Sequence, residues 1–327
     1  MSHTRWRSPV AVGVFVAAVL AACARNESGG SDSAVADSGA AATLRADSAV
    51  RVSFTASGET PGMKTPESVR YDADLDVFFV SNINGNPSQK DNNGFIARID
   101  AGNTSTMTML AEGGKNGVTL HAPKGMAIIG DTLWVADIDA VRGFNKRSGA
   151  PVGTVDLRSQ KATFLNDVAV GPDASLYVTD TGIRFDEKGA MSHPGTDQVF
   201  KVTGRTASVA LTGSSLSAPN GIAWDGSNSR FVLGPFDGKA VLAWKPGDST
   251  TTEVFTGPGG YDGVEVISDG RIIVSSWTDS ALHVFRNGTV SRAVSGVEAP
   301  ADIGVDTKRS VVAVPRFNAG IVQYFRM

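Results

Sequence analysis

From about residue 50 the chain moves in short bursts, in which four to six residues rich in Val, Ile, Phe and Tyr are followed by a polar turn and then another burst. Runs this short, bounded by Gly, Pro, Asn and Asp, predict strands. They recur in a fixed order. An alternating strand ("SVRYD", "GMAII", "DVAVG", "GIAWD", "GVEVI", "DIGVD") leads to a second run ("VFFVSN", "TLWVAD", "SLYVTD", "RFVLGP", "RIIVSS", "VVAVPR"). A third follows ("GFIARID", "AVRGFN", "DQVFKV", "AVLAWK", "ALHVFR", "GIVQYF"). Five units add a weaker fourth, as in "TMTMLAEG" or "TEVFTG", while the sixth runs out of chain at Met327. Its missing strand is available at the other end as "AVRVSFTASG", 49–58.

This order predicts an all-β, six-bladed β-propeller, residues 49–327, with its N-terminal strand closing the last blade. The repeat is about 46 residues long, within the range of roughly 40–50 for propeller blades, and closure avoids exposed sheet edges. Two separate β domains would not leave one unit broken in this way.

Before each first strand stands a similar construction with its third letter changed: "TPES", "APKG", "FLND", "APNG", "GYDG", "APAD". The variable residues are Glu67, Lys124, Asn166, Asn220, Asp262 and Ala301. Each alone reads as a turn residue. In a propeller, however, first strands are innermost, so the six form a ring at one mouth of the channel. Glu67, Asn166, Asn220 and Asp262 then offer four oxygen donors with formal charge −2, a set suited to a hard divalent cation such as Ca²⁺. No sulfur or histidine belongs to the ring, which argues against structural zinc.

Composition and charge narrow the classes. Only 19 % of residues are charged and the formal net charge is −3, so no basic surface for nucleic acid is implied. The first residues read as an address. "HTRWR" is basic, Val10 to Leu20 is apolar, and "LAAC" ends at Cys23, the only cysteine. The apolar run is shorter than the about 20 residues needed to cross a bilayer. The segment resembles a bacterial lipoprotein signal, which implies cleavage after residue 22 and a lipid anchor on Cys23 at the cell envelope, on its periplasmic or extracellular face. Losing Arg5 and Arg7 would leave a net charge near −5. Residues 23–48 are small and polar and read as a flexible tether.

"TPESVRYD", "FLNDVAV", "APNGIAWD" and "YDGVEV" together resemble the SMP-30/gluconolactonase/luciferin-regenerating enzyme family of six-bladed propellers. The resemblance implies a divalent cation held by Glu67, Asn166, Asn220 and Asp262, and hydrolysis of lactones or related esters. The family motif carries an Arg two residues before the first Asn, where this chain has Phe164, a departure that bears on sugar-acid lactones.

Within that site Asp262 is the expected base toward water. Lys124 either binds an anionic substrate or oxyanion or forms an ion pair with Glu67 or Asp137. His121, on the same rim, is either a second candidate base, as histidines near this site are in the similar paraoxonases, or a solvated loop residue. Two long loops, 82–94 and 181–197, should overhang the mouth. There Arg184, Asp186 and His193 are candidate substrate contacts or solvated positions. "DADLD" at 72–76 lacks the glycine of a calcium loop and falls at a hairpin turn. No G-x-S-x-G or H-E-x-x-H is present. The expectation is thus a monomeric, envelope-anchored, metal-dependent lactonase or esterase, the alternative being a non-enzymatic propeller lipoprotein that binds a ligand or a protein.

Overall fold

The computed structural model describes residues 52–327. The signal, Cys23 and the tether lie outside the described residues. Six four-stranded antiparallel sheets are arranged as the blades of a β-propeller. Blade one is Pro66–Asp72, Val77–Asn82, Phe95–Asp100 and Asn103–Glu112. Blades two to five begin at Pro123, Leu165, Pro219 and Tyr261 and repeat the same inner-to-outer order. In blade six Gly304–Asp306, Val311–Arg316 and Ile321–Arg326 are completed by Thr55–Thr60, which pairs antiparallel with Ile321–Arg326. The closing strand therefore starts and ends later than the 49–58 read from sequence. Its last residue, Thr60, is fully buried and hydrogen-bonds the Tyr324 hydroxyl at 2.8 Å.

The near-continuous apolar second strands follow from burial on both faces. Neighbouring residues on a strand point to opposite faces, and here each face meets a different blade. Phe78 and Val80 pack with Ala313, Val322 and Tyr324 of blade six, whereas Phe79 packs with Met126, Leu133 and Phe144 of blade two. The core is thus a set of apolar layers between blades.

The inner strands approach one another closely. A Cβ on Gly221 would lie 2.2 Å from the Asp262 carbonyl oxygen, and one on Gly263 would lie 2.3 Å from the Ile303 nitrogen. This contact explains why glycine follows Asn220 and Asp262. Where the corresponding residue is polar it bonds across instead: Asp167 accepts the Ile222 N–H at 2.7 Å, and Asp302 accepts the Ser68 hydroxyl.

Deeper in the channel Arg70 donates to Glu265 at 2.6 Å and to the Met126 carbonyl at 2.8 Å, with Asp302 3.8 Å away. Burial pushes Glu265 up to about 7 and Asp302 up to about 6, even with Arg70 opposing both shifts.

Candidate active site

Glu67, Lys124, Asn166, Asn220 and Asp262 all line one cavity of about 220 Å³ at a channel mouth. Ala301, the sixth ring residue, is buried and carries no donor. Each ring residue sits at the first turn of an inner strand, where the pairing slips: the register shifts between Pro66 and Ser68, between Leu165 and Val168, and between Pro219 and Gly221. That bulge takes the side chain out of the ladder and leaves it facing the channel. Thr65, Ala218 and Ala299, which precede three of the four prolines of this turn (Pro66, Pro219 and Pro300), adopt left-handed φ of 51°, 60° and 45°. Such non-glycine conformations cost of order 1–3 kcal/mol each and persist where surrounding contacts enforce them.

Three buried oxygens in the ring have no hydrogen-bond partner among the described residues: Glu67 Oε2, Asn220 Oδ1 and Asp262 Oδ1. Buried polar atoms are almost always paired, so three orphans on one cavity point to an electron-poor ligand. Asn166 donates its amide to the Thr181 hydroxyl at 3.0 Å, which leaves its carbonyl oxygen as a fourth donor. Asp262 is oriented from its other oxygen, Oδ2, which accepts the Trp277 indole N–H at 2.8 Å. Burial, and then Asp262, raise Glu67 well above the usual carboxylate range, while burial and Asp302 do the same to Asp262. No group of three or more His, Cys, Asp or Glu side chains able to hold a metal occurs among the described residues. A cation here would need both amides, and oxygen-only donors of this kind fit a hard cation.

Lys124 departs from expectation. It is 1 % exposed, yet its ammonium makes no ion pair with Glu67 or Asp137. Instead it donates to the carbonyls of Pro87 and Ala122 at 3.2 and 3.1 Å and lies over the Phe164 ring, 4.1 Å from its centroid. Phe164 therefore provides the cation's aromatic seat. Burial lowers Lys124 to about 8 although Glu67 opposes the shift. Asp137 holds the loop instead, accepting the N–H groups of His121 and Ala122 and pairing with Arg142.

The other sequence candidates are more dispersed. His121 accepts the Asn92 N–H at its Nδ1 and does not line the cavity. Arg184 and Asp186 are exposed and also stand off it. His193 contacts Asp197 at 2.7 Å, and Asp197 in turn accepts the Ala218 N–H beside Asn220. The two long loops do reach over the mouth, and they touch each other. Asn86 donates to the Asp186 carbonyl at 2.6 Å and the Phe185 N–H donates to Ser88 at 2.9 Å. The second loop carries its own small hairpin, Arg184–Phe185 with Met191–Ser192.

One layer escaped the sequence reading. Directly after each second strand stand Ile83, Ile138, Thr181, Phe236, Trp277 and Phe317, a second ring above the first. All except Ile138 line the cavity, and Phe185 from the hairpin joins them. In five blades the N–H of this residue donates to the carbonyl two residues before the donor ring: Ile83 to Thr65, Thr181 to Phe164, Phe236 to Ala218, Trp277 to Gly260 and Phe317 to Ala299, at 2.9–3.1 Å. In blade two Asp137 takes over the anchoring. The aromatic members meet in two groups: Phe236, Trp277 and Phe317 edge to face, and Phe164 with Phe185. The readable signal was the column after "VSN", "VAD", "VTD", "LGP", "VSS" and "VPR".

A six-bladed propeller with carboxylate and amide oxygens ringing one mouth, roofed by an apolar collar, defines the class of this molecule. The chain belongs to the SMP-30/gluconolactonase/LRE-like family, whose pattern matches residues 65–303. Among curated protein sequences no relative matches it. Similar solved structures include a calcium-binding protein, regucalcin, from Agrobacterium tumefaciens strain C58 (14 % identity, TM-score 0.63, covering 84 % of this chain and 95 % of that one). A luciferin-regenerating enzyme matches at 12 % identity and TM-score 0.60, with 82 % and 92 % covered. A protein assigned as a gluconolactonase matches at 16 % and 0.62, with 84 % and 93 % covered. At these identities the likeness is one of fold.

Proposed function

We propose that this protein is a divalent-cation-dependent hydrolase of lactones or related esters, with Ca²⁺ the cation its donors suit. The carrying observation is the trio of oxygens without a partner among the described residues, Glu67 Oε2, Asn220 Oδ1 and Asp262 Oδ1, on one cavity at the channel mouth. Family membership supports the reaction class, and a regucalcin of the same fold is named as calcium-binding. Glu67, Asn166, Asn220 and Asp262 would hold the cation. When bound, it would polarise the substrate carbonyl and acidify water.

The chain's own residues do the rest. Asp262, oriented by the Trp277 indole N–H, takes the proton of the attacking water. The water oxygen bonds the acyl carbon, the acyl–oxygen bond breaks, and that proton passes to the leaving alkoxide, giving hydroxy acid and free Asp262. Lys124, with two of its three N–H donors committed to carbonyls, keeps one for the developing oxyanion. The collar limits access of bulk water, which strengthens both interactions. The "LAAC" segment supports placement at a bacterial envelope through a lipid on Cys23.

The test is metal content of the purified protein, followed by a lactone and ester panel with chelator and with Ca²⁺ restored. Hydrolysis abolished by chelator and recovered with Ca²⁺ is expected. Ligand binding without turnover under every condition would leave a binding module instead.

A further inference from the structure

We propose that this site selects lactones or esters bearing an alkyl or aryl group, and discriminates against polyhydroxylated ones, through the second ring of side chains. For turnover this rests on the hydrolase reading above; for binding it does not. The donor ring is polar, but the space above it is not. Phe236, Trp277 and Phe317 close one side, Phe164 and Phe185 the other, and Ile83 lines the cavity in one apolar cluster with Phe317. Phe185, Phe236, Trp277 and Phe317 are half-buried, so each keeps aromatic surface facing the mouth. Single exposed apolar residues are ordinary, whereas several gathered around one concave site mark where an apolar ligand is covered.

The polar groups within reach of a substrate's periphery are already committed. The Thr181 hydroxyl accepts from Asn166 and donates to the Pro219 carbonyl at 3.0 Å. The Trp277 indole N–H is spent on Asp262, and Lys124 retains a single donor. A sugar lactone brings a hydroxyl on nearly every carbon, and burying one without a partner costs roughly 1–3 kcal/mol, or about 5- to 150-fold in affinity. An alkyl chain in the same space gains about fourfold per buried methylene. The cavity, about 220 Å³, suits a lactone ring with a short chain. Phe164 contributes twice, as collar wall and as the aromatic face over which the Lys124 ammonium lies.

The experiment uses the full chain, purified in detergent and supplied with Ca²⁺. The kcat/KM is measured along δ-lactones of increasing alkyl chain and for glucono-δ-lactone, and calorimetry measures binding of the matching non-hydrolysed δ-lactams. Specificity should rise by about fourfold per methylene until the chain leaves the collar, with the glucono compounds at least about tenfold below the best alkyl member in both readouts. Phe236→Ser should flatten the slope. Because a slope is a ratio within one preparation, a partly folded variant still reports it. A flat or falling series, or preference for the glucono lactone and lactam, overturns the proposal. Absence of any turnover sinks the hydrolase reading alone, while the lactam series still decides this one.

Discussion

Replacing Glu67 by Gln separates a cation ligand from a mere turn residue, because the two roles predict opposite signs of stability change. Glu67 is buried beside Asp262, and among the described residues no ion pair reaches either carboxylate and Glu67 Oε2 has no partner. With chelator present the wild-type fold must tolerate that unsatisfied group and its like-charged neighbour. Glu67→Gln removes the charge while keeping the shape, so the metal-free variant should be more stable by about 1–3 kcal/mol, a rise in Tm of a few degrees for a domain of this size. With Ca²⁺ at 1,000 times its Kd the wild type should gain about 4.1 kcal/mol, roughly 8–12 °C. The variant, lacking a charged donor, should gain little. The order of the two melting curves therefore reverses between chelator and calcium. Circular-dichroism melts at one pH and protein concentration read this directly. A Glu67→Gln curve lying below wild type by the same margin in both conditions would refute the argument and return Glu67 to a turn-forming role.

Asp262→Asn should weaken Ca²⁺ binding modestly yet lower kcat by about 10²–10⁴, the usual contribution of a positioned base, whereas Asn220→Ala should recover part of its activity in excess Ca²⁺; equal rescue of both would remove Asp262 as base. Deleting residues 24–45 should leave Tm nearly unchanged, but deletion through Thr60 removes the strand paired with Ile321–Arg326 and exposes that edge, so it should unfold or associate the protein on gel filtration. Glu265 is held up at about 7, above its ordinary 4.5, mainly by burial, so the folded state binds the extra proton and stability falls as pH rises from about 4.5 to about 7. Glu265→Gln should reduce that slope in denaturant titrations across the window, and an unaltered slope would assign it to another group. Cys23→Ser should shift the protein from the membrane to the soluble fraction, and unchanged fractionation would count against a lipid anchor.

The blades were legible in the chain because burial on both faces writes continuous apolar runs such as "VFFV", and because a similar turn, marked by proline or glycine in five of six cases, returns before every first strand with its third letter varied. Asn220 and Asp262 were readable as ring members for the same reason, and the glycines after them record a backbone contact with the next blade. Lys124 was only half legible. Its place in the ring came from the repeat, but its partners are Phe164 and two carbonyls, one of them from the loop at Pro87, distant in sequence. The collar was not read at all, although Phe236, Trp277 and Phe317 occupy one fixed column. A large apolar residue just past a strand looks like an ordinary core position until six strands converge and turn it toward a common axis. Phe185 reaches the mouth only because its loop crosses to Asn86 and Ser88 of blade one. Local periodicity dictates which face of a strand is buried; which side chains meet above the channel depends on closure of the ring, a long-range contact that no short stretch of sequence contains.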